Sequence, residues 1–327
     1  MKAWTITEPG GREVLKQKEF PEPSPKRGEL LIQVKAAGIN RTDTLTRQNT
    51  SLSSPYPILG VEVSGVVVAN HSSDWTLEVG TRVAGLVNHG GCGEYVTMPA
   101  NRAIKLPDSL SFEEGAAIPE VFLTAYQTLY LLGELKEKES VLIHAAGSGV
   151  GTAAVQLARQ LSDATIYATA GKPEKLKMAD SLGADVLINY REANFDEVIM
   201  EESNGRGVDV ILDFVGASYW DMNLASCALD ARWILIGTLG GATVERVLLA
   251  ELMKKRIALE GTLLTPRSDD YKAQLTKEFS KEALPLFNDG RLKPVIHSIL
   301  GFDELPEAHR QMEENENVGK IILSFEY

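Results

Sequence analysis

The stretch Val141-Leu142-Ile143-His144-Ala145-Ala146-Gly147-Ser148-Gly149-Val150-Gly151 restricts this chain more than any other. Its apolar opening predicts a strand, and the small residues after His144 predict a tight turn. Beyond them Val150, Ala154, Leu157, Ala158 and Leu161 recur at helical spacing, which gives a helix one apolar face to lay on a sheet. Strand, turn and helix N-terminus together form an anion site, because the first N–H groups of a helix lack internal acceptors and the helix dipole favours a phosphate there. The turn departs from the strict Gly-x-Gly-x-x-Gly fingerprint. With Gly151 in the third position, Ala146 and Ser148 fill the first two. Alanine still allows a fairly tight turn, Ser148 can hydrogen-bond a phosphate, and Gly151 lets helix and strand approach closely. Taken alone, the stretch also fits an ordinary strand-to-helix turn.

The sequence beyond Arg159 narrows the choice. Strand and helix patterns alternate: strands at 165–170, 185–189, 208–214, 232–237 and 257–264, helices at 173–182, 194–202, 219–229 and 244–255. Such alternation predicts an α/β fold with a doubly wound parallel sheet. Ligands of such sheets bind beyond the carboxyl ends of the strands. Small or polar residues stand at those ends: Ala146-Gly147-Ser148, Ala170-Gly171, Val215-Gly216 and Gly237-Thr238. The candidate dinucleotide contacts of this domain are Ser148, Gly149, Val150, Thr169, Gly171, Val215, Gly237 and Leu264.

The second strand selects between dinucleotides. An NAD site expects an acid about 20 residues past the glycine turn, bonded to the ribose hydroxyls. Here the strand ends Thr169-Ala170-Gly171, and Lys172 and Lys175 come next. A lysine in a first helical turn opposes the dipole mildly, and an additional ligand phosphate turns that into attraction. The site reads as preferring NADP(H), with a solvated lysine face as the alternative.

A chain of 327 residues predicts about two domains. A net charge of −12 argues against nucleic acid or an anionic membrane surface as the main partner. No signal-peptide pattern opens the sequence and no apolar run is long enough to span a bilayer. Cys92 and Cys227 are far apart, as in reduced proteins, so the expected location is cytoplasmic. The first 120 residues hold short strand-like runs (30–36, 61–69, 82–86, 95–99) broken by Gly, Pro and Asn. Helical patterns recur at 270–287 and near 304–314, and a final strand at 320–325 most simply returns to the first domain. The expected division is therefore 1–121 with 265–327, and 122–264 as a nucleotide domain inserted between them, with substrate held in a cleft between the two.

The segments Ala37-Gly38-Ile39-Asn40-Arg41-Thr42-Asp43, Leu59-Gly60-Val61-Glu62-Val63-Ser64-Gly65, Leu123-Thr124-Ala125-Tyr126-Gln127, Ala145 to Gly151 and Val318-Gly319-Lys320-Ile321 span nearly the whole chain. On them the chain resembles the zinc-free medium-chain dehydrogenase/reductases of the quinone oxidoreductase branch. Ile118-Pro119-Glu120 and Gly216-Ala217-Ser218-Tyr219-Trp220 resemble the tumour-suppressor-inducible subgroup in particular. The resemblance implies a Rossmann domain inserted in a GroES-like β-barrel domain, NADPH as cofactor, a small-molecule quinone or enone as substrate, and a homodimer built through the last Rossmann strand. It assigns Asn40 a catalytic and cofactor-contacting role, although spacing alone equally suits a turn cap. It places Thr124 on the cofactor, where the residue pattern alone suggests a helix N-cap, and to Lys175 it adds Tyr190 and Asn317 as cofactor contacts.

Zinc-dependent members carry Cys where Asn40 stands and His where Val61 stands. Asn and Val cannot supply that tetrahedral N/S site, so no metal is expected. The resembled subgroup also has a Tyr in the loop after Asn-x-x-Asp. Residues 47–51, Arg-Gln-Asn-Thr-Ser, contain no aromatic ring, which removes a stacking surface and proton donor for a quinone. The expected activity is metal- and flavin-free hydride transfer from NADPH to a quinone. An enone or enal double-bond reductase, and a poorly catalytic crystallin-like NADPH-binding protein, are the alternatives.

Overall fold

The structure, a computed structural model, describes residues 1–53 and 55–326. The chain forms two compact units: Met1–Leu123 with Thr265–Tyr327, and Thr124–Leu264. In chain order the first unit contributes β1 (Lys2–Ile6), β2 (Leu15–Glu19), β3 (Glu29–Ile39), α1 (Arg41–Gln48), β4 (Glu62–Asn70), β5 (Arg82–Leu86), β6 (Tyr95–Pro99), β7 (Ala103–Lys105) and α2 (Phe112–Ala116). Helix α3 (Pro119–Tyr126) carries the chain into the second unit. That unit holds β8 (Ser140–Ile143), α4 (Gly149–Ser162), β9 (Thr165–Ala170), α5 (Pro173–Ser181), β10 (Val186–Asn189), α6 (Phe195–Glu202), β11 (Val208–Asp213), α7 (Trp220–Ser226), β12 (Cys227–Leu235), α8 (Leu249–Lys255) and β13 (Ala258–Gly261). The return segment adds α9 (Asp269–Glu282), α10 (Leu284–Asn288), β14 (Ile296–Gly301), α11 (Leu305–Glu313) and β15 (Lys320–Ser324) to the first unit.

In the first unit one sheet runs in the order β14-β15-β3-β4-β5-β7, with β6 also paired to β3. Strand β15 lies antiparallel to β3 with Ile321 opposite Ile39, so the C-terminal strand enters this sheet. Alternating inward residues such as Leu30, Ile32, Val34, Val63 and Ile321 make its core. In the second unit six parallel strands run β10-β9-β8-β11-β12-β13. The order reverses between β8 and β11, the switch point beside which such sheets bind nucleotides. Near-continuous burial along β8 and β11 fits a sheet covered on both faces. No helix among the described residues is long and apolar enough to cross a membrane.

Three helices differ from expectation, and the last strand, expected over 257–264, is Ala258–Gly261. The helix expected over 219–229 stops at Ser226, and β12 begins at Cys227, paired with Val208. Lys255 supplies the reason: its ammonium donates to the carbonyls of Leu224, Ala225 and Cys227 at 2.8–2.9 Å, satisfying groups that a further helical turn would use. The helix expected over 244–255 starts only at Leu249. The chain leaving β12 is first tied to the loop after β11, where Gly240 N–H donates to Val215 O and Ala217 N–H to Gly241 O. The helix expected over 270–287 breaks at Ala283, two residues before Pro285.

Candidate functional site

The turn after β8 is built for close approach. Ala145 adopts φ +48°, a left-handed position. Ser148 caps α4, its Oγ accepting from Gly151 N–H at 3.0 Å. A Cβ on Gly151 would overlap Ala145 O and stand 2.7 Å from Ala146 Cα, both backbone atoms. Only glycine lets α4 meet the turn this closely. Gly149 and Val150 N–H groups have no protein acceptor among the described residues and sit at the positive end of the helix. The capping serine thus has its oxygen committed, which leaves the two backbone N–H groups after it and the Ser148 hydroxyl hydrogen as donors at this helix end.

The end of β9 brings together the predicted Gly171, Lys175 and Tyr190. The Lys175 side chain crosses Gly147: a Cβ there would lie 2.6 Å from Lys175 Cβ. The Tyr190 hydroxyl comes within 2.5 Å of where a Gly171 Cβ would be, and Arg191 Nε within 3.0 Å. Arg191 carries no local signal in the sequence. It lies just after β10, and only the pairing of β10 with β9 carries it to the acid-free strand end. Lys175 and Arg191 thus stand with Tyr190 at Gly147 and Gly171, next to a helix N-terminus, and Lys172 follows Gly171 in the chain.

Other expected contacts fall elsewhere. Thr169 is fully buried and its Oγ1 is bonded to His144 Nδ1 at 2.9 Å, so its side chain is structural. Thr124 is the sixth residue of α3, 6% exposed, rather than an N-cap. Leu264 is buried beyond the end of β13. Val215 and Gly237 do stand at the carboxyl ends of β11 and β12, presenting backbone rather than side-chain groups: Val215 N–H is held by Asp213 Oδ1 at 2.8 Å, and Gly237 packs on Phe214 O.

In the first unit Asn40 precedes α1, and its amide is fully engaged. Oδ1 accepts from Lys320 Nζ at 2.7 Å, while Nδ2 donates to Glu62 Oε1 at 2.8 Å and to Gly38 O at 3.3 Å. Its backbone N–H donates to Asp43 Oδ2, so the residue is a buried cap at the start of α1. Asn317, also expected on the cofactor, is 7% exposed and closes a local turn by donating to Gly319 O. Within 47–51, Arg47 is buried, donating to Gly10 O and pairing with Glu313.

Lys320 places a cation beside Asn40 and Glu62. Its ammonium donates to Ile39 O, Asn40 Oδ1 and Glu62 Oε1 at 2.5–3.0 Å, and Glu62 is fully buried. Three oxygens already surround a built-in cation, and neither thiolate nor imidazole joins them, so the residues do not fit zinc. Among the described residues no group of three or more His, Cys, Asp or Glu could hold a metal ion.

Burial raises the Asp43 carboxyl to about 7, against the N–H bond from Asn40 and the charge of Lys320. Burial, then the charge of Glu62, raises Glu120 to about 8. Both groups hold protons in the folded chain that the unfolded chain releases. Their stabilisation is complete below the unfolded carboxylate range and is lost as pH rises through 7 and 8. His144 and His309, lowered by burial from 6.5, act in the opposite sense below that pH. The free energy of unfolding in urea is therefore expected to fall between about pH 6.5 and pH 8. A flat or rising profile there contradicts it.

Residues 26–108 match the family model described as an alcohol dehydrogenase GroES-like domain, and residues 149–281 that of a zinc-binding dehydrogenase. The chain is 33% identical to the quinone oxidoreductase of Homo sapiens, over 99% of this chain and 97% of that protein. It is 31% identical to the synaptic vesicle membrane protein VAT-1 homolog-like of Mus musculus, over 100% of this chain and 82% of that protein. Among solved structures, Escherichia coli quinone oxidoreductase complexed with NADPH matches at a TM-score of 0.89 and 29% identity, over 99% of this chain and 100% of that one. A GroES-like domain, an inserted parallel nucleotide-binding sheet and full-length identity above 30% agree: the chain belongs to the medium-chain dehydrogenase/reductase family, as a protein of the quinone oxidoreductase type.

Proposed function

We propose that this chain is an NADPH-dependent reductase that delivers hydride to a quinone without flavin or metal. The observation that carries the reading is the acid-free, basic end of β9: Lys175 lies across Gly147, Arg191 and Tyr190 lie over Gly171, and the α4 N-terminus adjoins them. NADPH, when bound, supplies the hydride. The protein's part is positioning. Gly149 and Val150 N–H groups bind the linking phosphates. Lys172, Lys175 and Arg191 neutralise the phosphate on the adenosine ribose, and Tyr190 flanks it. Because the strand order reverses between β8 and β11, the adenosine half lies over β9 and β10 and the nicotinamide half over the backbone of Val215 and Gly237.

Lys175→Ala is expected to weaken NADPH by about tenfold, on the scale of one charge-assisted hydrogen bond, and NADH by less than twofold. Equal weakening of the two, measured by calorimetry, contradicts the phosphate role. The catalytic reading is tested by NADPH consumption against ortho- and para-quinones and 2-alkenals. Turnover of quinones with little turnover of alkenals is expected. The reverse preference identifies a double-bond reductase. Tight NADPH binding with no turnover of either identifies a binding protein, the alternative to which the ring-free segment 47–51 points.

For assembly we propose a homodimer. Strand β13 is a sheet edge whose four residues are all exposed, and Leu249, Met253 and Leu263 near it are 63–77% exposed. An uncovered edge flanked by apolar side chains invites pairing with a second copy. Light scattering at the mass of one chain would refute it.

A further inference from the structure

Beneath the nucleotide crest of the second unit runs a buried polar chain that the proposed chemistry does not use. Asp213, at the end of β11, is fully buried. Its Oδ1 accepts from the backbone N–H groups of Val215 and Gly216 at 2.8 and 2.9 Å. Its Oδ2 accepts from Asn223 Nδ2 and Trp233 Nε1, each at 3.0 Å. All four partners are donors, so the site requires an acceptor on both oxygens. With its amide nitrogen on Asp213, Asn223 presents Oδ1 to His144 Nε2 at 2.7 Å. That fixes the histidine tautomer: Nε2 carries the hydrogen, and Nδ1 accepts from the Thr169 hydroxyl. His144, Thr169, Asn223 and Trp233 are each 0% exposed, and Phe195 and Tyr219 pack edge-on against the imidazole.

Every link is satisfied, and the chain ends on backbone at the cofactor crest. Thr169 O accepts from Ala146 N–H in the phosphate turn. Beyond Asp213, Gly216 adopts φ +80°, and a Cβ there would stand 2.8 Å from Gly241 O. Ala217 N–H bonds Gly241 O, and Gly240 N–H bonds Val215 O, so the loop shaped by Asp213 also fixes the loop after β12.

We infer that Asp213, Asn223 and His144 are positioning residues for the cofactor, setting the backbone of the two loops that receive its nicotinamide half. The inference rests on the NADPH reading above. None of the three side chains touches the cofactor. They act by holding Val215, Gly216 and, through them, residues 237–241 in one arrangement, as a satisfied buried network can.

The test compares two ligands. NADPH spans both halves of the crest, whereas adenosine 2′,5′-bisphosphate reaches only the Lys175–Tyr190 end. Asp213→Asn keeps the side-chain shape but turns an NH2 toward donors. Calorimetry is expected to show NADPH weakened by about tenfold or more and the bisphosphate changed less than about twofold. Trp233→Phe removes a bond that does not lead to the loops. It should lower the melting temperature yet leave both affinities within about twofold. If Asp213→Asn does not fold, Asn223→Ser, which shortens the link to His144 without adding charge, should give the same selective loss at smaller size. Unchanged NADPH affinity, a parallel loss of both ligands, or an equal effect of Trp233→Phe each overturns the inference. A wild-type protein that binds neither ligand overturns the nucleotide reading itself, and the relay with it.

Discussion

Gly151→Val is expected to abolish measurable NADPH binding in a chain whose first unit still folds. A valine there drives its Cβ into Ala145 O and the backbone of Ala146, the latter at 2.7–2.8 Å. Backbone cannot swing aside as a flexible side chain does, so the N-terminus of α4 must lift from the turn. The two N–H groups of Gly149 and Val150 then leave the place where the linking phosphates would lie. A loss of at least about a hundredfold in affinity, ~3 kcal/mol, is expected. Gly151→Ala should fall between, because it brings the same Cβ without the branch. Gly261→Ala is the control, since a Cβ there meets nothing within 4 Å. Retained NADPH affinity in Gly151→Val would show that the anion site is elsewhere.

Lys320→Met is the second large effect, this time on stability. The lysine and Glu62 are 3% and 0% exposed, and Lys320 also holds Asn40 and the end of β3. Removing the cation leaves a buried carboxylate facing an amide, beside the raised carboxyls of Asp43 and Glu120. Breaking such a pair costs about 3–5 kcal/mol, whereas replacing both members by neutral groups costs far less. Urea unfolding should therefore show Lys320→Met strongly destabilised and Lys320→Met with Glu62→Gln restored by more than half. A double variant no better than the single would mean that packing rather than charge makes the lysine necessary.

The parallel sheet was legible because each of its strands and helices carries its own periodicity, and the turn at 145–151 because its small residues are consecutive. The end of β9 was legible in part. Lys175 lies in the adjoining helix, but Arg191 reaches Gly171 only through the pairing of β10 with β9. Asn40 shows where local reading stops. Its partners are Glu62 and Lys320, 22 and 280 positions away, and no local pattern announces that both amide ends are occupied. Thr169 misled for the same reason, because a threonine at a strand end looks available until His144 and Asn223 are placed beneath it. The boundaries of α7 and α8 were set by Lys255 and by the stitching of residues 239–241 to the β11 loop. Both are tertiary contacts that override helical propensity.

One dinucleotide phosphate meets Lys172, Lys175 and Arg191 in the proposed complex, while the linking phosphates meet the α4 N-terminus. Calorimetric titration of the wild-type chain with NADPH and, separately, NADH tests this most directly. One saturable NADPH site per chain, with NADH weaker by about tenfold or more, is the expected result. Equal affinity for the two, or no saturable binding of either, would contradict it.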